Sequence, residues 1–328
     1  MSKSLGNGID PMDAIHDYGN DALRFFLTTT TAPGMDLRYD EEKVKSSWNF
    51  INKLWNASRF CLMNMEDFTK DEFSLDNLKD IDKWILTKLN KTIETVRQNM
   101  DKYEFNNVGS ALYSFIWNDF CDNYIEMAKF SLNEINTKST LYYVILNILK
   151  LLHPFMPYVT EEIYQKLPFQ DCESIMIDSY PKANDEMLFT EDEQNIDKLI
   201  EFCNMFRGTK KEHNMTNEYK VNINEAYNKE LVSKILKLAD HIIENDLEIT
   251  KFNVSNSLYN MDLFYEKQIT EEDIKAKEKL IETLKSNIER RTMLLNNPGY
   301  MSKAPKHLIE EEQRKVEEEK AELEKLLG

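Results

Sequence analysis

Residues 41–65 read EEKVKSSWNFINKLWNASRFCLMNM, and their pattern decides the fold class. The apolar side chains recur at steps of three and four residues: Val44, Trp48, Ile51, Leu54, Trp55 and Phe60. This period is that of a long amphipathic helix with one buried face. Because aromatic residues at helical spacing usually pack inward, we expect Trp48 and Trp55 to lie in the core, together with Trp117 and Tyr124.

The same period continues in three further segments, at 80–103, 105–132 and 139–167. Four long helices joined by short polar connections imply an antiparallel bundle, which we place at residues 43–180. The HPFMP segment (153–157) should interrupt the last helix, because proline cannot donate the backbone hydrogen bond of a helix interior. The expected fold class is therefore mainly α.

The pattern changes on both sides of the bundle. Residues 1–42 combine a loop rich in Ser, Gly and Lys with two short helices, which Asp10 and Asn20 should cap. Residues 181–267 mix helical and strand-like patterns and predict a small α/β linker module. Within this module, 229–246 reads as one helix.

Residues 268–328 carry a heptad repeat on each side of the segment NNPGYMSKAP. The apolar positions one heptad apart are Ile274, Ile281, Ile288 and Leu295, followed by Ile309, Val316 and Leu323. Two such helices around a turn predict an antiparallel coiled-coil hairpin. The second position of the seam is imperfect and holds Lys277, Leu284, Arg291, Glu312, Glu319 and Leu326.

Composition limits the function classes open to this chain. Its 328 residues carry a formal charge of −17, which argues against nonspecific polyanion binding through clustered Lys and Arg. Four scattered cysteines show neither metal-ligand spacing nor a disulfide framework, so we expect no metal site and a reducing, cytoplasmic compartment. No apolar run reaches the roughly 20 residues that cross a bilayer.

The opening stretch MSKSLGNGIDPMDAIHDYGNDALRFFL (1–27) places Lys3 between Ser2 and Ser4. It resembles the signature loop and following helices of class I aminoacyl-tRNA synthetases for branched aliphatic amino acids, whose loop motif reads KMSKS. The forms GNGIDP, NDALRF and APGMDL are typical of the valine enzymes. Further similarity runs through NKLWNASRF, FIWNDFCDNYIEMAK, LLHPFMPYVTEEIYQKLP and LNNPGYMSKAP, so it covers nearly the whole chain.

The resemblance implies that the full-length enzyme attaches valine to its tRNA through valyl-adenylate, with ATP and magnesium. Lys3 would stabilise the transition state of adenylate formation in the ATP loop, with Ser2 and Ser4 positioning that loop. The family motif has a Lys immediately before the position of Met1, so we expect the chain to start inside the motif. The ATP and valine pockets would lie upstream, and this chain alone is expected to be inactive, without bound cofactor, and monomeric.

The resemblance also implies tRNA contacts in three places. The bundle corresponds to an anticodon-binding domain, where unstacked bases are held by aromatic side chains with Arg nearby. The candidate contacts in the bundle are Asn52, Asn56, Arg59 and Phe60. The segment RGTKKEHN adds Arg207 and Lys210. The turn of the coiled-coil arm would meet the outer corner of tRNA through Arg290, Arg291, Lys303, Lys306 and Arg314.

Alternatives remain open at this point, both for the single residues and for the whole chain. For each candidate residue, the simpler reading is a packed aromatic ring or a solvated charge. For the whole chain, the alternatives are an isoleucine enzyme, which usually ends in a zinc-binding tail, and a free-standing RNA-binding or scaffold protein built on a synthetase bundle. No phosphate-binding glycine loop or hydrolase motif supports independent chemistry, and neither a membrane nor DNA is an expected partner.

Overall fold

The computed structural model describes residues 9–215, 219–243, 251–265 and 271–327, with side chains throughout except at 271–278, 301–303 and 325–327. It divides into two compact units whose boundary lies between Phe264 and Tyr265. The first unit contains a helical bundle and a small sheet, and the second is a helical hairpin. The mainly α fold class is confirmed.

Two short helices precede the bundle, α1 (Pro11–Tyr18) and α2 (Asn20–Thr29). Asp10 caps α1 as predicted, because its carboxylate accepts the backbone N–H of Met12 at 3.0 Å. The predicted cap of α2 is wrong. Asn20 is the first helical residue, and the cap position is held by Gly19, which has a φ of 82° and no side chain to bond.

The bundle consists of α3 (Glu41–Met63), α4 (Asp80–Asp101), α5 (Phe105–Ser114), a π-helix (Phe115–Tyr124), α6 (Ile125–Ala128), α7 (Ile135–Leu152) and α8 (Pro157–Tyr164). The break at HPFMP is confirmed, and α8 restarts with Pro157 in its first turn. Inside the bundle, the hydroxyl of Tyr124 donates a 2.7 Å hydrogen bond to Asp82. Both groups are fully buried, and burial raises the pKa of each.

Helix α2 is fixed to the start of α8 by Asp21. Its carboxylate accepts the backbone N–H groups of Val159 at 2.7 Å and of Tyr158 at 3.4 Å. These are first-turn donors of α8 that have no partner within the helix, so Asp21 acts as a cap supplied by another element. The Arg24 side chain adds a 3.1 Å bond to the carbonyl of Pro154.

The small module contains α9 (Thr190–Glu212), β1 (Tyr219–Ala226), α10 (Lys229–Leu236), β2 (Lys251–Ser255) and β3 (Tyr259–Tyr265). The strand order is β1-β3-β2, and β2 pairs with β3 antiparallel. The single helix predicted for 229–246 is wrong in length. It ends at Leu236, because Lys237 adopts a left-handed conformation with a φ of 55°.

Helices α4 and α9 pack through a network of ion pairs. Lys88 lies 2.8 Å from Asp197 and 3.5 Å from the buried Glu193, and Lys91 lies 2.5 Å from the same Glu193. The indole N–H of Trp84 donates to Asp197 at 2.9 Å. This network joins the small module to the bundle.

The second unit contains α11 (Glu271–Leu295), α12 (Pro298–Lys303) and α13 (Lys306–Leu327). The predicted hairpin is present, and Leu284 and Val316 are buried in its seam. The segment between the long helices is a short helix rather than a plain turn. The side chain of Asn297 caps that helix by accepting the backbone N–H of Gly299 at 2.9 Å.

Candidate nucleic-acid interface

Helix α3 has one buried and one exposed face. Its N-cap is Asp40, whose carboxylate accepts the backbone N–H groups of Glu42 and Lys43. The buried face follows Phe50, Leu54, Ala57 and Cys61. The opposite face, as helical spacing places it, carries six side chains that are exposed or half-buried: Trp48, Asn52, Trp55, Asn56, Arg59 and Met63. We call these six residues the α3 face.

The placement of Trp48 and Trp55 in the core is wrong. Their side chains are 41% and 39% exposed, although Tyr124 is buried as expected and Trp117 is half-buried. In the sequence, steps of three and four residues lead from Val44 to Trp48 and Ile51, and from Ile51 to both Leu54 and Trp55. In the structure, however, the buried face is centred on Phe50 and Cys61, which leaves the tryptophans outside it.

A groove of about 470 Å³ runs along the end of the α3 face. Trp55, Arg59 and Met63 form one wall, and Ile163, Lys166 and Pro168 lie on the other. The groove thus combines an exposed indole and a guanidinium with apolar side chains. Its lining also includes the carboxylate of Glu66, and the ammonium group of Lys166 is paired with Glu162. The indole and the guanidinium suit a single-stranded base, which stacks on an aromatic face while its phosphate meets the cation.

The structure brings three of the four bundle candidates together and separates the fourth. Asn52, Asn56 and Arg59 share the α3 face. Phe60 follows Arg59 directly, so its side chain is rotated by roughly 100° around the helix. It is half-buried, and the Nζ atom of Lys129 lies 5.9 Å from its ring centroid. Trp55 was not among the predicted contacts, although its position four residues before Arg59 was a usable signal.

A second aromatic cluster borders α3 and was not predicted. Lys53 lies 3.8 Å above the ring of Trp117 and bonds Asp122 at 2.5 Å. Trp117 in turn stacks on Tyr113, with ring centroids 5.3 Å apart. Trp117 therefore packs against a lysine and a tyrosine of the protein, which makes this cluster a packing feature rather than an open base platform.

The two candidates on α9 differ in their surroundings. Arg207 is exposed. Lys210 lies 4.0 Å over the ring of Tyr219, and burial lowers the pKa of its ammonium group. The structure thus gives Lys210 a packing role against β1 and leaves Arg207 open to solvent.

The arm candidates also separate into two kinds. Arg290, Lys306 and Arg314 are exposed. The guanidinium of Arg291 instead contacts Glu312 and lies 3.3 Å from Glu319, and all three side chains are at most 23% exposed. Arg291 therefore fills the imperfect seam position with an ion pair inside the hairpin. The side chain of Lys303, like Ser2, Lys3 and Ser4, lies outside the described residues.

The described residues provide neither a metal site nor a membrane span. No group of three or more His, Cys, Asp or Glu side chains in the described part of the chain is arranged to hold a metal ion. Across the same ranges, none of the helices has the length and apolar character needed to span a membrane.

Three family models match successive parts of the chain. Residues 1–40 match the class I tRNA synthetases for I, L, M and V, residues 82–225 match the anticodon-binding domain of tRNA ligase, and residues 270–328 match the valyl tRNA synthetase tRNA binding arm. The α3 face lies between the first two matches.

Comparison with curated proteins gives the same result. The chain is 41% identical to the valine–tRNA ligase of Bacillus subtilis over 96% of its length and 38% of that protein. It is 43% identical to the valine–tRNA ligase of Staphylococcus aureus strain MRSA252 over 97% of its length and 39% of that protein. It therefore spans less than half the length of these relatives.

Among solved structures, one similar chain comes from a ternary complex of the leucyl enzyme of Agrobacterium radiobacter K84 with tRNA. The TM-score is 0.46 and the sequence identity is 17%, and the match covers 68% of this chain and 24% of that one. The isoleucine alternative is not favoured, since the curated relatives are valine enzymes and the arm model is valyl. By its family matches and its relatives, this chain belongs to the valyl-tRNA synthetase family of class I aminoacyl-tRNA synthetases.

Proposed function

We propose that this chain supplies the tRNA-binding part of a valine–tRNA ligase, which attaches valine to its tRNA through valyl-adenylate. The observation that carries the proposal is the α3 face, because it exposes an indole and a guanidinium beside a groove of about 470 Å³ in a member of this family. The indole has an apolar face and a polar N–H, so an exposed tryptophan beside a guanidinium offers a stacking surface for a base.

At this surface, Trp55 offers a face on which one unstacked anticodon base stacks. Arg59 supplies positive charge for a flanking phosphate, whereas Lys166, which also lines the groove, is paired with Glu162. Asn52 and Asn56 lie on the same face and carry amides that can both donate to and accept from base edges. Base recognition is thus assigned to the asparagines and affinity to the stacking and charge.

The arm makes a second contact in this proposal. Arg290, near the end of α11, and Lys306, at the start of α13, are exposed and suit phosphates of the outer corner of tRNA. Arg314 is also exposed, lies further along α13 and is 3.7 Å from Glu318. Arg291 supports this surface indirectly, because its charge is paired inside the hairpin.

The ATP loop completes the assignment. Residues outside this chain would bind ATP, magnesium and valine. Lys3, positioned by Ser2 and Ser4, would neutralise the charge on the triphosphate as pyrophosphate leaves. We expect valine-dependent exchange of pyrophosphate into ATP to be at background for this chain alone. We further propose that the protein acts as a monomer in the cytoplasm.

The binding test uses the 328-residue chain and a transcript of valine tRNA. Trp55→Ala and Arg59→Ala should each weaken binding by about 1–3 kcal/mol, the usual value for losing one stacked base or one well-placed guanidinium. A transcript with a changed anticodon should bind wild type more weakly and should reduce the effect of both substitutions.

The matched control is Tyr103→Ala. Tyr103 is 72% exposed and follows α4, outside the groove, so its loss removes an exposed aromatic ring without touching the α3 face. Equal affinities of wild type, Trp55→Ala and Arg59→Ala for the transcript would exclude the α3 face as the anticodon site.

A further inference from the structure

A second groove lies between the end of α6 and helix α10. The ring of Phe130 is 45% exposed on one side, and Lys229, Lys234 and Lys237 lie on the other, around a volume of about 630 Å³. An adjoining cavity of about 260 Å³ is lined by Lys79, which is paired with Glu134, and by Asp80 and Asn228. We call the larger volume the Phe130 groove.

The groove is locally positive in a chain of net charge −17. Its lining contains three lysines and one carboxylate, Glu230. Lys234 is paired with Glu230 at 2.5 Å, and its Nζ atom lies 5.9 Å over the ring centroid of Phe130, whose ring is still 45% exposed. Lys229 and Lys237 form no ion pair with any residue that the structure describes, and both are exposed. Two ammonium groups are therefore available at the two ends of α10, which are about 12 Å apart along the helix axis.

The Phe130 groove lies beside the candidate RNA surface of α3. Phe130 directly follows Lys129, and the ammonium group of Lys129 lies 5.9 Å from the ring of Phe60. Phe60 itself is the residue after Arg59. A strand that leaves the α3 face in this direction would first meet the ammonium group of Lys129, which is paired with Glu126 at 2.6 Å, and then the exposed ring of Phe130.

We propose that the Phe130 groove binds a nucleotide of the RNA outside the base held at Trp55. The base stacks on the exposed face of Phe130, and Lys229 and Lys237 contact the adjacent phosphates. Stacking on an aromatic side chain within a positive groove is the general mode of single-strand binding. An acidic peptide would use the lysines but would gain little from the ring, so the combination favours a nucleotide. This inference rests on the proposed tRNA-binding function.

The test measures the affinity of the 328-residue chain for the valine tRNA transcript across a series of salt concentrations. Phe130→Ala should weaken binding about 5- to 150-fold with little change in the salt dependence. The double variant Lys229→Glu, Lys237→Glu should weaken binding and lower the log–log salt slope by about one for each phosphate that the chain no longer neutralises.

Helix α5, the π-helix and α6 follow one another without a break and form one helical run. Matched controls lie at the other end of this run. Lys102 and Tyr103 precede α5, so they are separated from Phe130 by α5, the π-helix and α6, about 35 Å along the axis. Lys102→Glu and Tyr103→Ala remove an exposed cation and an exposed ring of the same kinds. Both should bind the transcript as wild type does, with the same salt slope.

The outcomes separate this inference from the function on which it rests. If Arg59→Ala weakens binding and the groove variants do not, the Phe130 groove is not an RNA site and the anticodon assignment stands. If neither set of variants weakens binding, the proposed function of the bundle fails as well. If an acidic peptide protects the groove lysines from chemical labelling and the transcript does not, the occupant is a protein and the inference is overturned.

Discussion

Replacement of Arg291 by alanine should loosen the arm more than any other single change in its charged residues. The substitution leaves Glu312 and Glu319 together in the seam without their cation. Loss of one partner from a fully buried ion pair costs about 3–5 kcal/mol, and an exposed pair is worth under about 1 kcal/mol. Since these side chains are 16–23% exposed, we expect a loss of about 1–2 kcal/mol.

Hydrogen exchange measures this loss within the arm itself. In peptides covering α11 and α13, a loss of about 1–2 kcal/mol corresponds to exchange that is about 5- to 30-fold faster. Peptides of α4 and α7 should exchange at the wild-type rate, because they belong to the other compact unit. The matched control is Arg290→Ala, which removes an exposed guanidinium next in sequence and should change exchange less than about twofold.

A second variant tests the cause of the loss. Replacing Arg291, Glu312 and Glu319 together by leucine removes the charges without leaving any of them unpaired. Apolar replacement of a buried ion triad is typically neutral or stabilising, so exchange should be as slow as in wild type or slower. Wild-type exchange rates in Arg291→Ala, or faster exchange in the triple variant, would refute this account of the seam.

Three further predictions concern the bundle. Burial raises the pKa of Asp119 to about 6, so the folded state favours the protonated carboxyl and loses stability as that group ionises between about pH 4 and pH 6. In urea titrations, Asp119→Asn should therefore raise the free energy of unfolding by about 1–3 kcal/mol at about pH 7.5 but not at about pH 4. Gly109→Ala would place a Cβ 2.4 Å from the Cβ of Thr29, and should cost about 1–3 kcal/mol in thermal melts, with recovery in the double variant that also carries Thr29→Gly. Asp21→Ala should cost about 1–2 kcal/mol in the same melts because the first turn of α8 loses its acceptor, and an unchanged melting temperature would contradict that role.

Much of the fold could be predicted from the sequence because periodicity and caps are local signals. Asp10 and the HPFMP segment act through the backbone of their immediate neighbours, and both predictions are confirmed. The end of α10 was not predictable in this way. Lys237 takes a left-handed conformation that nothing in its residue type favours, so tertiary packing decides where that helix stops.

The candidate site was predictable only in part. Arg59, Asn52 and Asn56 share a face that helical spacing alone implies. The exposure of Trp55 depends on which side of α3 meets the bundle, and that side is set by partners distant in sequence. Arg291 appears in the sequence as a cation near a turn, and only the structure shows that Glu312 and Glu319 neutralise it.

The π-helix at Phe115–Tyr124 determines which way the end of its helical run faces. A π-helix has about one residue more per turn than an α-helix, so ten residues in this conformation complete roughly half a turn less. Everything that follows is rotated by that angle about the common axis. The Lys129 side chain meets Phe60 on α3, and Phe130 meets α10, in this rotated phase. The wider winding therefore sets the direction in which the chain leaves α6, just before Lys129 reaches Phe60 and Phe130 reaches α10.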